Sequence, residues 1–195
     1  MKDTASSVND RIALRVRRLR SERGLSLNAL AGRCDVSRSM ISLIERGESS
    51  PTAVVLERLA AGLDVPPASF FDDPAPTASP VARGADAEAW RDPESGYVRR
   101  SVSPSGVAAP FQIAEVTFPA GARVAYETGA RDSAVHQQVW VLEGTIDVTV
   151  DGARHRLDAG DCLALVLKLP IVYHNHTGEP ARYAVVVATD PKSWT

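Results

Sequence analysis

The sequence is short of cysteine and histidine and has no long apolar run, and each shortage removes a class of protein. Cys34 and Cys162 are the two cysteines in 195 residues, 128 positions apart. That excludes a disulfide framework and a C-x-x-C zinc motif. No stretch approaches eighteen consecutive apolar residues, so no membrane-spanning helix is expected. The start, MKDTASSVNDRIALRVRR, lacks the apolar core of a signal peptide, which predicts a cytoplasmic protein. The net charge is only -2, which by itself speaks against a chain that mainly coats nucleic acid. The 44% apolar and 24% charged fractions are ordinary globular values and exclude wholesale disorder. The length allows one domain or two small ones.

The charge is unevenly spread. Residues 9–50 hold nine arginines against five acids, +4, whereas residues 84–195 hold ten basic and fourteen acidic residues, -4. A neutral average thus hides a basic head and an acidic body, which suggests different partners for two parts. Between them, DDPAPTASPVAR at 72–83 carries three prolines among small residues and reads as an extended spacer. The expected division is a head at 9–72, a Pro/Ala-rich linker at 73–88 and a second domain at 89–191.

The head reads as five short helices. Residues 10–23 place Ile12, Val16 and Leu19 at helical spacing, and Gly24 stops that helix. Ser26, Ser37 and Thr52 stand as N-caps before LNALAGRC, RSMISLIER and AVVLERLAAGL, and Pro66-Pro67 open a last turn, ASFF. Two helices of about eight residues joined by a three- or four-residue turn form a helix-turn-helix. The helix from Ser37 to Arg46 is then the recognition helix. Arg38, Ser39 and Ser42 fall on one side of it, with Met40, Ile41 and Ile44 packing inward or sideways.

The stretch LSLNALAGRCDVSRSMISLIERGESSPTAVVLERLAAGLDV resembles the Cro/repressor helix-turn-helix family, the xenobiotic-response-element family of bacterial regulators. The resemblance covers about residues 9–72. It implies a structural salt bridge between Arg20 and Glu45, and it implies that Arg38, Ser39 and Leu43 face base edges in the major groove. Arginine can pair bidentately with guanine, serine can bond either way, and leucine can meet a thymine methyl. Ser37 sits at the helix N-terminus, where free N–H groups attract a phosphate. Arg46, Arg11 and Ser50 are further candidates for phosphate contacts, which position without specifying.

From about residue 97 the pattern changes to short β-rich runs such as FQIAEVTF, QVWVLEGTIDVTV and ARYAVVVA, with Asp151-Gly152 as a hairpin turn. The segments PAGARVAYE, VWVLEG, VTVDG, LDAGDCLAL and NHTGEPARY resemble the cupin family, a small double-stranded jelly roll. The expected fold class is therefore α+β multidomain, an all-α head and an all-β cupin.

Cupin enzymes hold a metal with three His and one Glu. Counting back from Gly144 puts Gln137 at the Glu position, the H-x-H falls among Ala130 to Ser133 where no His stands, and counting back from Asn175 puts Ile171 at the last His. No metal and no cofactor are expected at those positions. Neighbours on a strand point to opposite faces. If Gln137, Val139, Val141, Ile171 and Tyr173 face inward, then His136, His174 and His176 face out. Cys162, in the apolar run DCLALVL, reads as a buried small hydrophobe.

Tyr126, Gln137, Val139, Val141, Ile171 and Tyr173 are the candidate lining of an effector pocket, mostly apolar with a few polar groups. The expected function is a DNA-binding repressor, not an enzyme. It would bind a pseudo-palindromic double-stranded operator as a homodimer and sense a small-molecule effector. The alternatives are a metal-dependent cupin enzyme fused to a DNA-binding head, and a cupin that serves only as a dimerisation scaffold.

Overall fold

The computed structural model describes residues 4–71, 79–85, 87–107, 109–127 and 135–189. Most of the Pro-rich spacer and the Ala130–Ser133 segment lie outside these residues. Four α-helices come first: α1 (Thr4–Glu22), α2 (Leu27–Cys34), α3 (Arg38–Glu45) and α4 (Ala53–Gly62), followed by a 3-10 helix (Pro67–Phe71). Helix α1 begins six residues earlier than the periodicity predicts. Val8 is 2% exposed and extends the stripe of Ile12, Val16 and Leu19 by one turn. The fifth helix is 3-10 rather than α, with Ser69 N–H donating to the Pro66 carbonyl at 2.9 Å.

The helix starts follow the capping residues. Ser26, Ser37 and Thr52 accept from the N–H groups of Ala29, Met40 and Val55 at 3.1, 3.1 and 3.3 Å, satisfying donors that have no partner within the helix. The three residues Asp35-Val36-Ser37 separate α2 from α3. Asp35 takes the left-handed conformation at φ 51°, which an aspartate tolerates better than most residues. Helix α4 packs closely on the end of α2. A Cβ at Gly62 would stand 2.7 Å from the Cβ of Cys34, so only glycine fits there without displacing the helices.

Among the described residues ten strands follow: β1 (Ala89–Arg91), β2 (Val98–Ser101), β3 (Phe111–Phe118), β4 (Arg123–Tyr126), β5 (Val135–Glu143), β6 (Thr145–Val150), β7 (Ala153–Asp158), β8 (Cys162–Val166), β9 (Ile171–His174) and β10 (Ala181–Thr189). They form a six-stranded sheet, β1-β2-β3-β10-β5-β8, facing a four-stranded sheet, β4-β9-β6-β7. Every pairing is antiparallel. This is the jelly-roll arrangement of a cupin. Along β5, Val135, Gln137, Val139 and Val141 are buried while His136, Gln138 and Trp140 are exposed, the period of two that a strand with one wet face requires.

Cys162 is a correction. It is exposed because it pairs with Trp140 on the outer face of β8, an edge strand, while Leu163 and Leu165 take the inner phase opposite Val139 and Gln137.

The two halves share one core. The buried cluster runs without interruption from Val8 in α1 to Val187 in β10. The seam is polar at one place. Asp92, 2% exposed and just after β1, accepts from the N–H of Ala53 at 2.8 Å. Ala53 is the first residue of α4, so a carboxylate of the β-domain occupies the positive end of a helix in the head. Its second oxygen accepts from the backbone N–H and the hydroxyl of Ser95 at 2.8 and 2.5 Å.

An aromatic chain runs beside this contact. Phe71 of the head meets Trp90 edge-on at 5.7 Å between centroids, Trp90 meets Tyr97 at 5.6 Å, and Tyr97 meets Phe118 at 6.0 Å. Arg99 lies over the Phe71 ring at 4.3 Å, a favourable cation–π distance.

Replacing Asp92 with alanine strands the buried Ala53 N–H. We expect a loss of about 2 kcal/mol, seen as a fall of roughly 4–8 °C in the melting temperature of the full chain. An unchanged melting temperature would show that the seam does not depend on this carboxylate.

Candidate nucleic-acid interface and effector cavity

The recognition helix α3 is anchored by its apolar side and open on the other. Ile41 and Ile44 are fully buried, and Arg38 and Ser39 are exposed. Ser42 and Leu43 are half-buried at the margin of the same face. Met40, expected to pack inward or sideways, is 36% exposed and belongs to the open surface, one position on from Ser39. Ser37 has its hydroxyl oxygen committed to the Met40 N–H, with the Ser39 hydroxyl 3.3 Å away. Its side chain therefore closes the helix start.

The Arg20–Glu45 pair fixes α3 against α1. Arg20 Nε donates to Glu45 Oε1 at 2.6 Å and Nη2 to Oε2 at 2.8 Å, a two-pronged pairing. Nη1 donates to the Leu25 carbonyl at 2.8 Å, so one guanidinium ties α1 both to the turn before α2 and to the end of α3. The side chains are 16% and 7% exposed. The hydrogen bond to Glu45 holds the Arg20 guanidinium above its ordinary pKa.

The outer arginines divide. Arg46 is exposed and donates to both carboxylate oxygens of Glu48, at 2.7 and 2.9 Å, which raises its pKa and lowers that of Glu48. Ser50 is exposed and accepts from Asn9 Nδ2 of α1 at 2.6 Å. Arg11 is a correction. It is half-buried on the side of α1 that faces the β-domain and pairs with Glu88. Arg15, one turn on, donates to the Ser69 carbonyl at 3.1 Å. The basic periodicity of α1 therefore serves the seam between domains as well as solvent.

A cavity of about 100 Å³ lies where α4 and the 3-10 helix close the mouth of the jelly roll. Tyr126, Gln137, Ile171 and Tyr173 line it. Val139 and Val141 do not. They are fully buried on the same inward face, as are Ile146 and Val148 of the opposite sheet. Gln137 donates to the Tyr173 hydroxyl at 2.5 Å, and Tyr173 stacks on Tyr183 at 5.9 Å. Burial pushes the Tyr97 phenol up to about 12 and raises those of Tyr126, Tyr173 and Tyr183. All four phenols are therefore protonated at neutral pH and can donate hydrogen bonds.

The head supplies walls that sequence reasoning missed: Ala53, Leu56 and Glu57 from α4, and Pro67, Ala68 and Phe71 from the 3-10 helix. Glu57 is 5% exposed. The signal for it was present, because Glu57 falls on the apolar stripe Ala53, Leu56, Ala60, where a carboxylate has no place in a simple core. With Arg99 on the cupin side, the cavity lining includes one acidic and one basic residue.

The histidines lie outside the barrel. His136 is exposed on β5, His155 is exposed on the edge strand β7, and His174 and His176 lie at the end of β9 on its outer side. Asn175 between them is fully buried, donating to the Glu179 carbonyl at 2.8 Å and accepting from the Thr177 N–H at 3.0 Å. At the inner positions where a cupin metal would find a Glu and a His stand Gln137 and Ile171, and Gln137 is committed to Tyr173.

An exposed recognition helix, braced by a buried ion pair and fused to a cupin, defines a two-domain helix-turn-helix regulator. Comparison with known proteins makes this specific. A helix-turn-helix domain family model matches residues 11–70 and a cupin domain model matches residues 115–187. The HTH-type transcriptional regulator SutR of Escherichia coli (strain K12) is 29% identical over 160 residues, which cover 82% of this chain and 84% of that protein. The crystal structure of an HTH_3 family transcriptional regulator from Vibrio cholerae superposes with a TM-score of 0.74 at 30% identity, covering 94% of this chain and 98% of that one. The chain belongs to the HTH_3 family of transcriptional regulators. Among the described residues, no helix is long and apolar enough to cross a membrane.

Substituting Glu45 with alanine leaves the Arg20 guanidinium without its main partner in a largely buried place. The expected cost is about 3 kcal/mol, read as earlier loss of the helical circular dichroism signal on heating. A melt coincident with wild type would show that packing alone positions α3.

Proposed function

We propose that this regulator is a cytoplasmic, effector-responsive repressor that binds a pseudo-palindromic operator as a homodimer. Arg38, Ser39 and Leu43 read base edges, and Ser42, Met40 and the N-terminus of α3 follow the backbone. Arg46 and Ser50 supply phosphate contacts at the rim. The cupin acts by binding rather than by catalysis. The observation that carries this reading is the shared cavity. A small molecule seated among Tyr126, Gln137 and Tyr173 also touches α4 and the 3-10 helix, so occupancy alters the head directly. An effector acts only by binding the two states unequally, and operator DNA must then change effector affinity by the same factor.

The outer face of the six-stranded sheet supports the dimer. Cross-strand rows on this face read Glu115–Ala184–Trp140–Cys162, Ile113–Val186–Gln138–Ala164 and Phe111–Ala188–His136–Val166. Most of these side chains are apolar or small, and Trp140 and Phe111 are about half exposed. A contiguous apolar patch of this kind on a sheet marks an interaction surface. A dimer of this kind would read two half-sites about one helical turn apart, roughly 34 Å.

The direct test is selection of operators from a random duplex library, followed by titration of wild type and Arg38→Ala. The variant should bind the preferred site about 1–3 kcal/mol more weakly and tolerate change at one base position. Equal binding would refute the recognition-helix register. Trp140→Glu should give a monomer by light scattering and a loss of operator affinity on the order of 100-fold. A dimer that persists would place the interface elsewhere.

A further inference from the structure

Asp147, His174 and His176 come together on the outer face of the four-stranded sheet, away from the cupin interior. Asp147 of β6 and His174 of β9 are direct cross-strand partners. Their strand neighbours Ile146, Val148 and Tyr173 point into the barrel, so the two polar side chains share the opposite face. His176 lies two residues beyond His174, and its Nδ1 stands 2.7 Å from Asp147 Oδ2. The two imidazoles meet edge-on at 5.9 Å with an interplanar angle of 62°. One ligand atom from each of the three residues lies within 4.8 Å of the others.

The carboxylate is what makes this more than a polar surface patch. The Asp147 side chain is 4% exposed. Its Oδ2 receives His176 and Arg154, but Oδ1 is buried with no hydrogen-bond partner among the described residues. A buried carboxylate oxygen without a donor is costly. A cation removes that cost. Two imidazoles and one carboxylate suit a borderline divalent ion such as zinc, cobalt or nickel, not the all-oxygen preference of magnesium or calcium.

Zinc bonds such ligands at roughly 2.0–2.2 Å, so the three atoms close on the ion by modest side-chain rotation, and water takes the remaining position. Arg123, Arg154 and Arg156 stand on the same face, paired in register with or diagonal to His174 and Asp147. They restrain affinity by charge repulsion, while Arg154 holds Oδ2 and aims Oδ1, the service that outer partners give a metal ligand.

We propose that Asp147, His174 and His176 form a binding site for one divalent transition-metal ion, of the zinc class, on the outer face of the four-stranded sheet. The site uses none of the positions at which cupins hold a metal inside the barrel, and it is independent of the effector reading. The ion clips β6 to β9 and to the turn after it. Tyr173, which lines the cavity, is adjacent in sequence to the ligand His174, so the clip also stiffens one cavity wall.

The test uses the untagged full chain, stripped with chelator and desalted. Zinc chloride is titrated by calorimetry, and cobalt(II) is followed by its visible ligand-field absorption. One ion per chain is expected, with a rise in melting temperature. His174→Ala and His176→Ala should each weaken binding by about tenfold or more, while His136→Ala and His155→Ala bind as wild type. Both ligand histidines are on the surface, so their variants are expected to fold, and circular dichroism checks this. Absence of saturable zinc binding would overturn the proposal. So would a wild-type isotherm in both His174→Ala and His176→Ala, or loss of binding in His136→Ala.

Discussion

The architecture turns on one carboxylate. Asp92 leaves the first β-hairpin of the cupin, enters a fully packed seam and ends on the first N–H of α4. Elsewhere a helix start is closed by the residue before it. Here Thr52 closes one donor from inside the head, and the β-domain supplies the acceptor for another. The consequence is directional. The pose of α4 is defined by the cupin, and α4 packs on α2, which leads through a three-residue turn into the recognition helix. Arg15 on Ser69 and Arg11 on Glu88 reinforce the same seam from α1.

The cavity sits beside this contact and inherits its position. Ala53, whose N–H is capped by Asp92, is also a cavity wall. The aromatic chain from Phe71 through Trp90, Tyr97 and Phe118 joins Tyr183 at 6.1 Å and then Tyr173, so rings of the head and of the barrel interior pack in series. Interiors this dense shift between discrete arrangements rather than deform smoothly. That is the property needed to turn occupancy of about 100 Å³ into a change in helix position.

Much of this was legible in the sequence because local rules sufficed. Three capping residues and Gly24 marked the helix ends, and the cupin resemblance put Gln137 at an inner position, from which alternation carried Val139 and Val141 to the same face. What alternation could not give was depth. It placed both valines inward but could not tell a cavity wall from solid core, since that depends on the facing sheet. Nor could it place Arg11, because the resemblance paired Arg20 with Glu45 but said nothing of Glu88, and only the fold sets Arg11 against it. The walls that α4 contributes were hidden for a related reason. They belong to a contact between domains, and the single readable trace of it was Glu57 standing on an apolar stripe. Cys162 was misread because an edge strand keeps its alternation but loses the neighbour that would cover its outer face.

The pairing of Arg46 with Glu48 bears on how the head finds its target. A free arginine at a protein surface draws any duplex, since each phosphate it neutralises frees condensed cations into solution. Arg46 already carries its own counter-ion, two residues away and covalently attached. Moving it onto a phosphate therefore means giving up one carboxylate for another anion, with little ionic release. On the proposed reading its pull on random DNA would be muted, and the arm would swing over once the base-reading side chains had found their partners. On that reading the head would search a chromosome with a light touch and hold firmly only where the sequence fits.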